Sequence, residues 1–232
     1  MSYEDDAIRF LTEYKCKKER ELERKFSHSD TRRCPDQCVG TWKDFDKNDG
    51  FRFPDSERKE VGSSGDDRKR LIIVLESPHR DEFSKRFAKR DEPGPAFGVT
   101  GRNIRNYIWA VLKGVEIPED TEVVLMNAIQ YQCSLGEKTG VCRDEVFDKL
   151  WWNKGEGDFE NRIRDLARLG DVIFNCCTRG KGRHQLINEA VEKSFLDREK
   201  VELLVGTHPC IWHWRIPDIE FRPHPSFTVT NL

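Results

Sequence analysis

Four short runs rich in Val, Ile and Leu, separated by stretches of helical periodicity, constrain this chain more than any other feature. They cover residues 71–75, 122–129, 171–176 and 201–206. Each is nearly continuous in apolar character, the pattern of a strand buried on both faces. Between the first two, Ile104, Ile108, Val111 and Leu112 mark the inner face of a helix over about 102–113. Phe159, Ile163 and Leu166 are spaced for burial in one or two helices between 143 and 169. Leu186, Ile187, Ala190 and Val191 line a helix over 184–195. Strands alternating with helices predict an α/β fold: a doubly wound, mainly parallel four-stranded sheet with helices on both faces. Right-handed crossovers bring every strand's carboxyl end to one edge. Open α/β sheets bind their ligands at that edge.

The first 70 residues read differently. Ala7, Phe10, Leu11 and Tyr14 follow the i, i+3, i+4, i+7 pattern of a helix over about 6–26. The charged stretch 15–25 that follows is its solvated surface. From 46 to 70 the composition shifts to Gly, Ser, Asp, Lys and Arg, as in a loop or linker. The expected organisation is a helical N-terminal extension (1–45), a flexible linker (46–70) and an α/β core (71–232).

Charged residues make up 35% of the chain, yet the net charge is only −2. A nucleic-acid surface must then be a local basic patch. No apolar run is long enough to span a membrane. The N-terminus is acidic and lacks an apolar signal core, which predicts a cytoplasmic protein, expected as a monomer. Eight cysteines in such a setting are thiols or metal ligands rather than disulfides. Cys34 and Cys38, with Cys16 and His28 upstream, leave two readings open: buried thiols and a loop, or a structural zinc or iron–sulfur site.

The residues that follow each strand carry the chemistry. After the first come Glu76, Ser77, His79, Arg80 and Asp81. The second ends in Asn127, then Gln130, Tyr131 and Gln132. A buried Asn must find a partner, either a neighbouring loop or the edge of a planar ligand. The third leads into Thr178, Arg179, Gly180, Lys181, Gly182 and Arg183 at a helix N-terminus. Glycines, helix dipole and basic side chains suit such a loop to phosphate. The fourth leads to His208, with His224 as a second His-Pro histidine. Phe97, in a Gly- and Pro-rich loop, is either a loop anchor or a stacking platform.

The order of these motifs resembles the uracil-DNA glycosylase superfamily over residues 71–226. In that family a first strand ends in a water-activating loop, a loop Phe stacks on the extruded base, a strand Asn reads its edge, and a His-Pro-Ser loop closes the site. Here the first motif resembles Leu75-Glu76-Ser77-Pro78-His79-Arg80. The second is similar to Gly94-Pro95-Ala96-Phe97-Gly98-Val99-Thr100-Gly101, close to the Gly-x-Pro-Phe-x-Gly-x-x-Gly form in the family's iron–sulfur branch. The third resembles Val123-Val124-Leu125-Met126-Asn127, and the last His208-Pro209-Cys210, with His224-Pro225-Ser226 as its rival. Ser77 stands where the family's catalytic Asp is usual, leaving Glu76 and Asp81 as the available carboxylates. His79 replaces the Tyr that excludes C5-substituted pyrimidines.

The resemblance implies a monofunctional DNA glycosylase that extrudes a base and hydrolyses its N-glycosidic bond, without a metal. Loss of the excluding Tyr implies a C5-modified pyrimidine, such as the glucosylated 5-hydroxymethylcytosine removed in phage defence. Phe97 would stack on the base and Asn127 bond its edge. Glu76 or Asp81 would orient water, and His208 or His224 would stabilise the departing base. Arg80, Arg179, Lys181 and Arg183 would hold DNA phosphates. Excision of uracil or another deaminated base, a non-catalytic nucleic-acid-binding module, and a Mg²⁺ phosphohydrolase using Glu76 and Asp81 are the competing readings.

Overall fold

The computed structural model describes residues 2–45, 59–61, 68–83, 92–138, 140–178, 182–195, 201–212 and 222–223. Its centre is a sheet of seven strands among these residues: β1 (Gln37–Thr41), β2 (Lys59–Glu60), β3 (Arg70–Leu75), β4 (Glu122–Asn127), β5 (Val172–Asn175), β6 (Glu202–Val205) and β7 (Arg222–Pro223). They lie in the order β2-β1-β4-β3-β5-β6-β7. The four inner strands β4, β3, β5 and β6 are parallel. They are the four apolar runs of the sequence. The flanking strands pair antiparallel, β1 to β4 and β2, and β7 to β6.

Both faces of the parallel strands are covered, as their continuous apolar character requires. Ile72, Val74, Val124, Met126, Ile173 and Leu203 point to one face. There they meet α1 (Tyr3–Glu21), α3 (Arg143–Leu150), α4 (Glu156–Leu166) and α5 (Arg183–Ser194), through Leu11, Phe147, Phe159, Ile163 and Ile187. Leu71, Ile73, Leu75, Val123, Leu125 and Phe174 point to the other face. That face packs on α2 (Val99–Val111), on Trp42 and Phe45 of a 3₁₀ turn, and on Trp212. Each fully buried Leu, Ile or Phe contributes about 1.5–3 kcal/mol. At the opposite, amino edge, Arg70 is buried and donates to the Leu166 carbonyl at 2.6 Å. Asp171 accepts from the Arg70 backbone N–H at 2.8 Å, fastening the starts of β3 and β5.

The N-terminal segment is part of this body rather than appended to it. Ser2 and Asp5 form a capping box, so α1 begins at Tyr3 rather than near residue 6. Ala7, Leu11 and Tyr14 then enter the core of the first face. Strand β1 completes the sheet beside β4, with an irregularity between Cys38 and Gly40, where Gly40 takes φ +136°. Most of the expected linker lies outside the described residues. The Val61 N–H donates to the Asp36 carbonyl, so that stretch returns to the body.

Candidate functional site

The chain leaves β3 toward β4 on one side and leaves β5 toward β6 on the other. The carboxyl ends of β3 and β5 thus flank the switch point, where open α/β sheets form a crevice. A pocket of about 600 Å³ opens there. After β3 it is lined by Glu76, Ser77, Pro78, His79 and Asp81, after β5 by Thr178, and after β6 by Thr207, His208, Cys210 and Ile211. Leu75, Glu82 and Gly98, Val99 and Thr100 of α2, Ser134 and Arg143 complete the wall.

The loop after β3 is fixed by Glu82. Its buried carboxylate accepts from the backbone N–H of His79 and, at 2.8 Å, from that of Ala96. The turn Arg80–Phe83 is thereby tied to the loop that leads into α2. That loop turns at Ala96 (φ 59°) and runs so close to α2 that a Cβ on Gly101 would fall 1.7 Å from the Ala96 carbonyl oxygen. Only glycine fits there.

The two candidate carboxylates have separate surroundings. Glu76 is 3% exposed. Its Oε1 lies 3.3 Å from Arg143 Nε and 3.8 Å from Arg183 Nη1. Asp81 is more open, its side chain 30% exposed. It sits 3.6 Å from His79 Nδ1 and 3.9 Å from Arg80 Nε. Burial holds the His79 pKa below its ordinary value, although Asp81 beside it favours the charged form.

His208 caps the turn Pro209–Ile211, its Nδ1 accepting from the Cys210 backbone N–H at 3.3 Å. Burial, aided by the positive charge of Arg143, lowers its pKa to about 4. The ring is therefore neutral at physiological pH, and an accepting Nδ1 places the proton on Nε2. Asn103 of α2 anchors this turn from behind, donating to the carbonyls of Pro209 at 2.9 Å and Cys210 at 3.2 Å.

Of the sequence-derived site residues, Glu76, Ser77, His79, Asp81 and His208 meet in the pocket. Arg80 is half exposed beside them. Three of the others lie elsewhere. Asn127 is 1% exposed, and its Nδ2 faces Cys34 Sγ at 3.7 Å, because residues 30–37 pack over the end of β4. Phe97 is half-buried against the loop, so close to Gly94 that a Cβ there would meet its ring at 2.8 Å, and it does not line the pocket. Arg183, expected at a phosphate, is instead fully buried. It lies 2.8 Å from Asp144 and 5.3 Å above the Phe147 ring, its charge spent inside the protein. Arg179, Lys181 and His224 lie outside the described residues.

Cys34 is buried and Cys38 half-buried, while Cys16 and His28 are exposed on other parts of the segment. No three His, Cys, Asp or Glu side chains gather as a metal-ligand group among the described residues. No described helix is long and apolar enough to cross a membrane.

Arg143, Ser134, Glu82 and Asn103 are the site residues that sequence reasoning missed. A signal for Arg143 was present. A basic residue in the first turn of a helix opposes the helix dipole and asks for a reason. Here the reason is the pair of carboxylates, Asp144 and Glu76, that hold it at the pocket wall.

No family model matches the chain, and comparisons with curated proteins and with solved structures return no match.

Proposed function

We propose that this pocket hydrolyses the N-glycosidic bond of a nucleotide extruded from DNA. The observation that carries the reading is the meeting, in one nucleoside-sized pocket at the switch point, of a neutral His208 with the carboxylate of Asp81. The volume falls in the range of small-ligand sites. In the reaction, the bond from C1′ to the base nitrogen breaks and both its electrons leave with the base. Water supplies the oxygen of the new C1′–O bond and gives its proton to Asp81 or to solvent.

Each side chain has one task. Asp81, the more accessible carboxylate, orients the water and offsets the positive charge that develops on the sugar. Glu76, sealed against two arginines, fixes the wall instead. His208 offers its Nε2 proton as a hydrogen bond to the departing base, the type of electrostatic aid that is usually the largest single contribution. The hydroxyls of Ser134 and Thr207 line the pocket and have no partner among the described residues, so they are free to bond the base edge. That task passes to them because Asn127 is turned away. His79, in place of the tyrosine of the family that the chain resembles, leaves room for a substituent at C5, as in the modified pyrimidines of phage DNA.

The test is to incubate the protein with DNA containing uracil, hypoxanthine, 5-hydroxymethylcytosine or its glucosylated form, and to score abasic sites by alkaline cleavage. Excision of a C5-modified pyrimidine is expected, and Asp81→Asn or His208→Gln should each slow it roughly 10²- to 10³-fold. Absence of abasic product from all of these DNAs would overturn the reading.

A further inference from the structure

Asp81 and His208 come from loops at different strands, yet both are referenced to one helix. Asp81 meets α2 at its start. A Cβ added to Gly98, the residue that caps the helix, would lie 2.9 Å from Asp81 Oδ2 and 3.4 Å from Asp81 Cβ. The carboxylate thus rests against bare backbone, in space that any other residue would fill. Glu82 secures the contact, because its carboxylate accepts from the N–H groups of both His79 and Ala96. The Gly94 N–H donates to the Glu82 carbonyl at 3.2 Å. The turn that carries Asp81 and the lead-in to α2 are therefore one piece.

His208 meets the same helix through Asn103. That side chain is buried and donates to the carbonyls of Pro209 and Cys210. They belong to the turn whose Cys210 N–H is bonded by the His208 ring. Trp212 closes this turn, its Nε1 donating to the Thr207 carbonyl at 2.9 Å, and its ring stacks on Phe174 of β5. The ring is fixed to the turn, and the turn to α2. From Gly98 to Asn103 the helix rises about 7.5 Å. A helix holds such a spacing more closely than two loops could.

We propose that α2 is the common mount of the site, with Gly98 and Asn103 as positioning residues that set the distance between Asp81 and His208. The inference rests on the glycosylase reading for what the two groups do, and on packing for where they are held. Gly98 acts through Asp81, and Asn103 through His208. Water and the departing base must be met at the two ends of one breaking bond. An error in spacing is then felt in the rate rather than in binding.

The test is a pair of mutant cycles on base excision. Gly98→Ala and Asn103→Ala should each lower kcat roughly 10- to 100-fold, with KM changed less than about threefold. Gly98→Ala should add little to Asp81→Asn but keep its full effect beside His208→Gln, and Asn103→Ala should show the opposite pattern. Losses that multiply in both backgrounds would mean general loosening and overturn the proposal.

Imidazole NMR reads the same mount without the chemistry. Burial, aided by Arg143, holds His208 near 4, while His79 responds to burial and to Asp81 and Arg80 beside it. Asn103→Ala should raise the His208 titration toward its ordinary value and leave His79 in place, whereas Gly98→Ala should shift His79 alone. Should a variant fail to fold, the Asn103 side-chain amide protons of the unaltered protein decide. They should exchange at least roughly tenfold more slowly than those of an exposed asparagine, and an equal rate overturns the anchor. Separate shifts of the two rings in a protein that excises no base support the mount and remove the glycosylase reading. Excision without that separation does the reverse.

Discussion

The loops that leave β3 and β4 start one strand apart on the same edge of the sheet, and both carry polar side chains within a few residues of the strand. Beyond β3, Ser77, His79 and Asp81 face a cavity. At the end of β4 and just beyond it, Asn127, Gln130, Tyr131 and Gln132 are all buried. The difference is the segment at residues 26–37. It lies over the end of β4 and supplies what those side chains lack. The Cys34 N–H donates to the Gln130 carbonyl at 2.8 Å, the Asp30 N–H to Gln132 Oε1 at 2.9 Å, and Arg33 to the Gln130 side chain. Arg162 completes the seam, bonding Asp36 at 2.8 Å, Asp158 at 2.7 Å and the carbonyls of Asn127 and Ala128. A polar strand end is thus a site only where no other part of the chain claims it.

The largest expected effect lies on the sealed side. Arg162→Met removes the common partner of two carboxylates and two carbonyls, and should cost about 3–5 kcal/mol in urea unfolding. A loss below 1 kcal/mol would mean that the seam is not what closes this half of the edge.

The open side should respond to pH. His208 is held near 4 in the folded chain, against an ordinary value of 6.5. As the pH falls from 6.5 toward 4, the unfolded chain takes up a proton that the folded chain refuses, so stability falls through that window. Arg143 is the charged group that acts on this ring, and the Cys210 backbone N–H bonds to it. His79, also lowered, adds a decline in the same direction. His208→Gln should flatten part of the slope in denaturant titrations across this range. An unchanged slope would place the ring in ordinary contact with water.

The smallest effect sharpens the contrast. Asn127→Ala should change base excision less than about threefold, while costing no more than about 1–3 kcal/mol of stability for its buried amide. Loss of excision with full stability would return Asn127 to the site.

The parallel strands and the helices between them were legible because buried strands write themselves as continuous Val, Ile and Leu. Strand β1 was not. It is five residues long, its burial does not alternate cleanly, and it owes its form to pairing with β4. The pocket residues just past β3 and β6 were legible because fold class alone places strand ends. Arg143 and Asn103 belong to helices, and only tertiary packing brings them to the pocket. Asn127 misled because its partner, Cys34, comes from a distant part of the chain whose contact with β4 no local pattern announces.

The pairing of β1 with β4 also orders events during synthesis. Residues 37–41 leave the ribosome long before residues 122–125, the partners that hold most of the strand. Until then its N–H and C=O groups have only the marginal hairpin with β2. When β4 emerges, it finds β3 on one flank and a waiting strand on the other, so neither flank is left as a bare edge for another nascent chain to join.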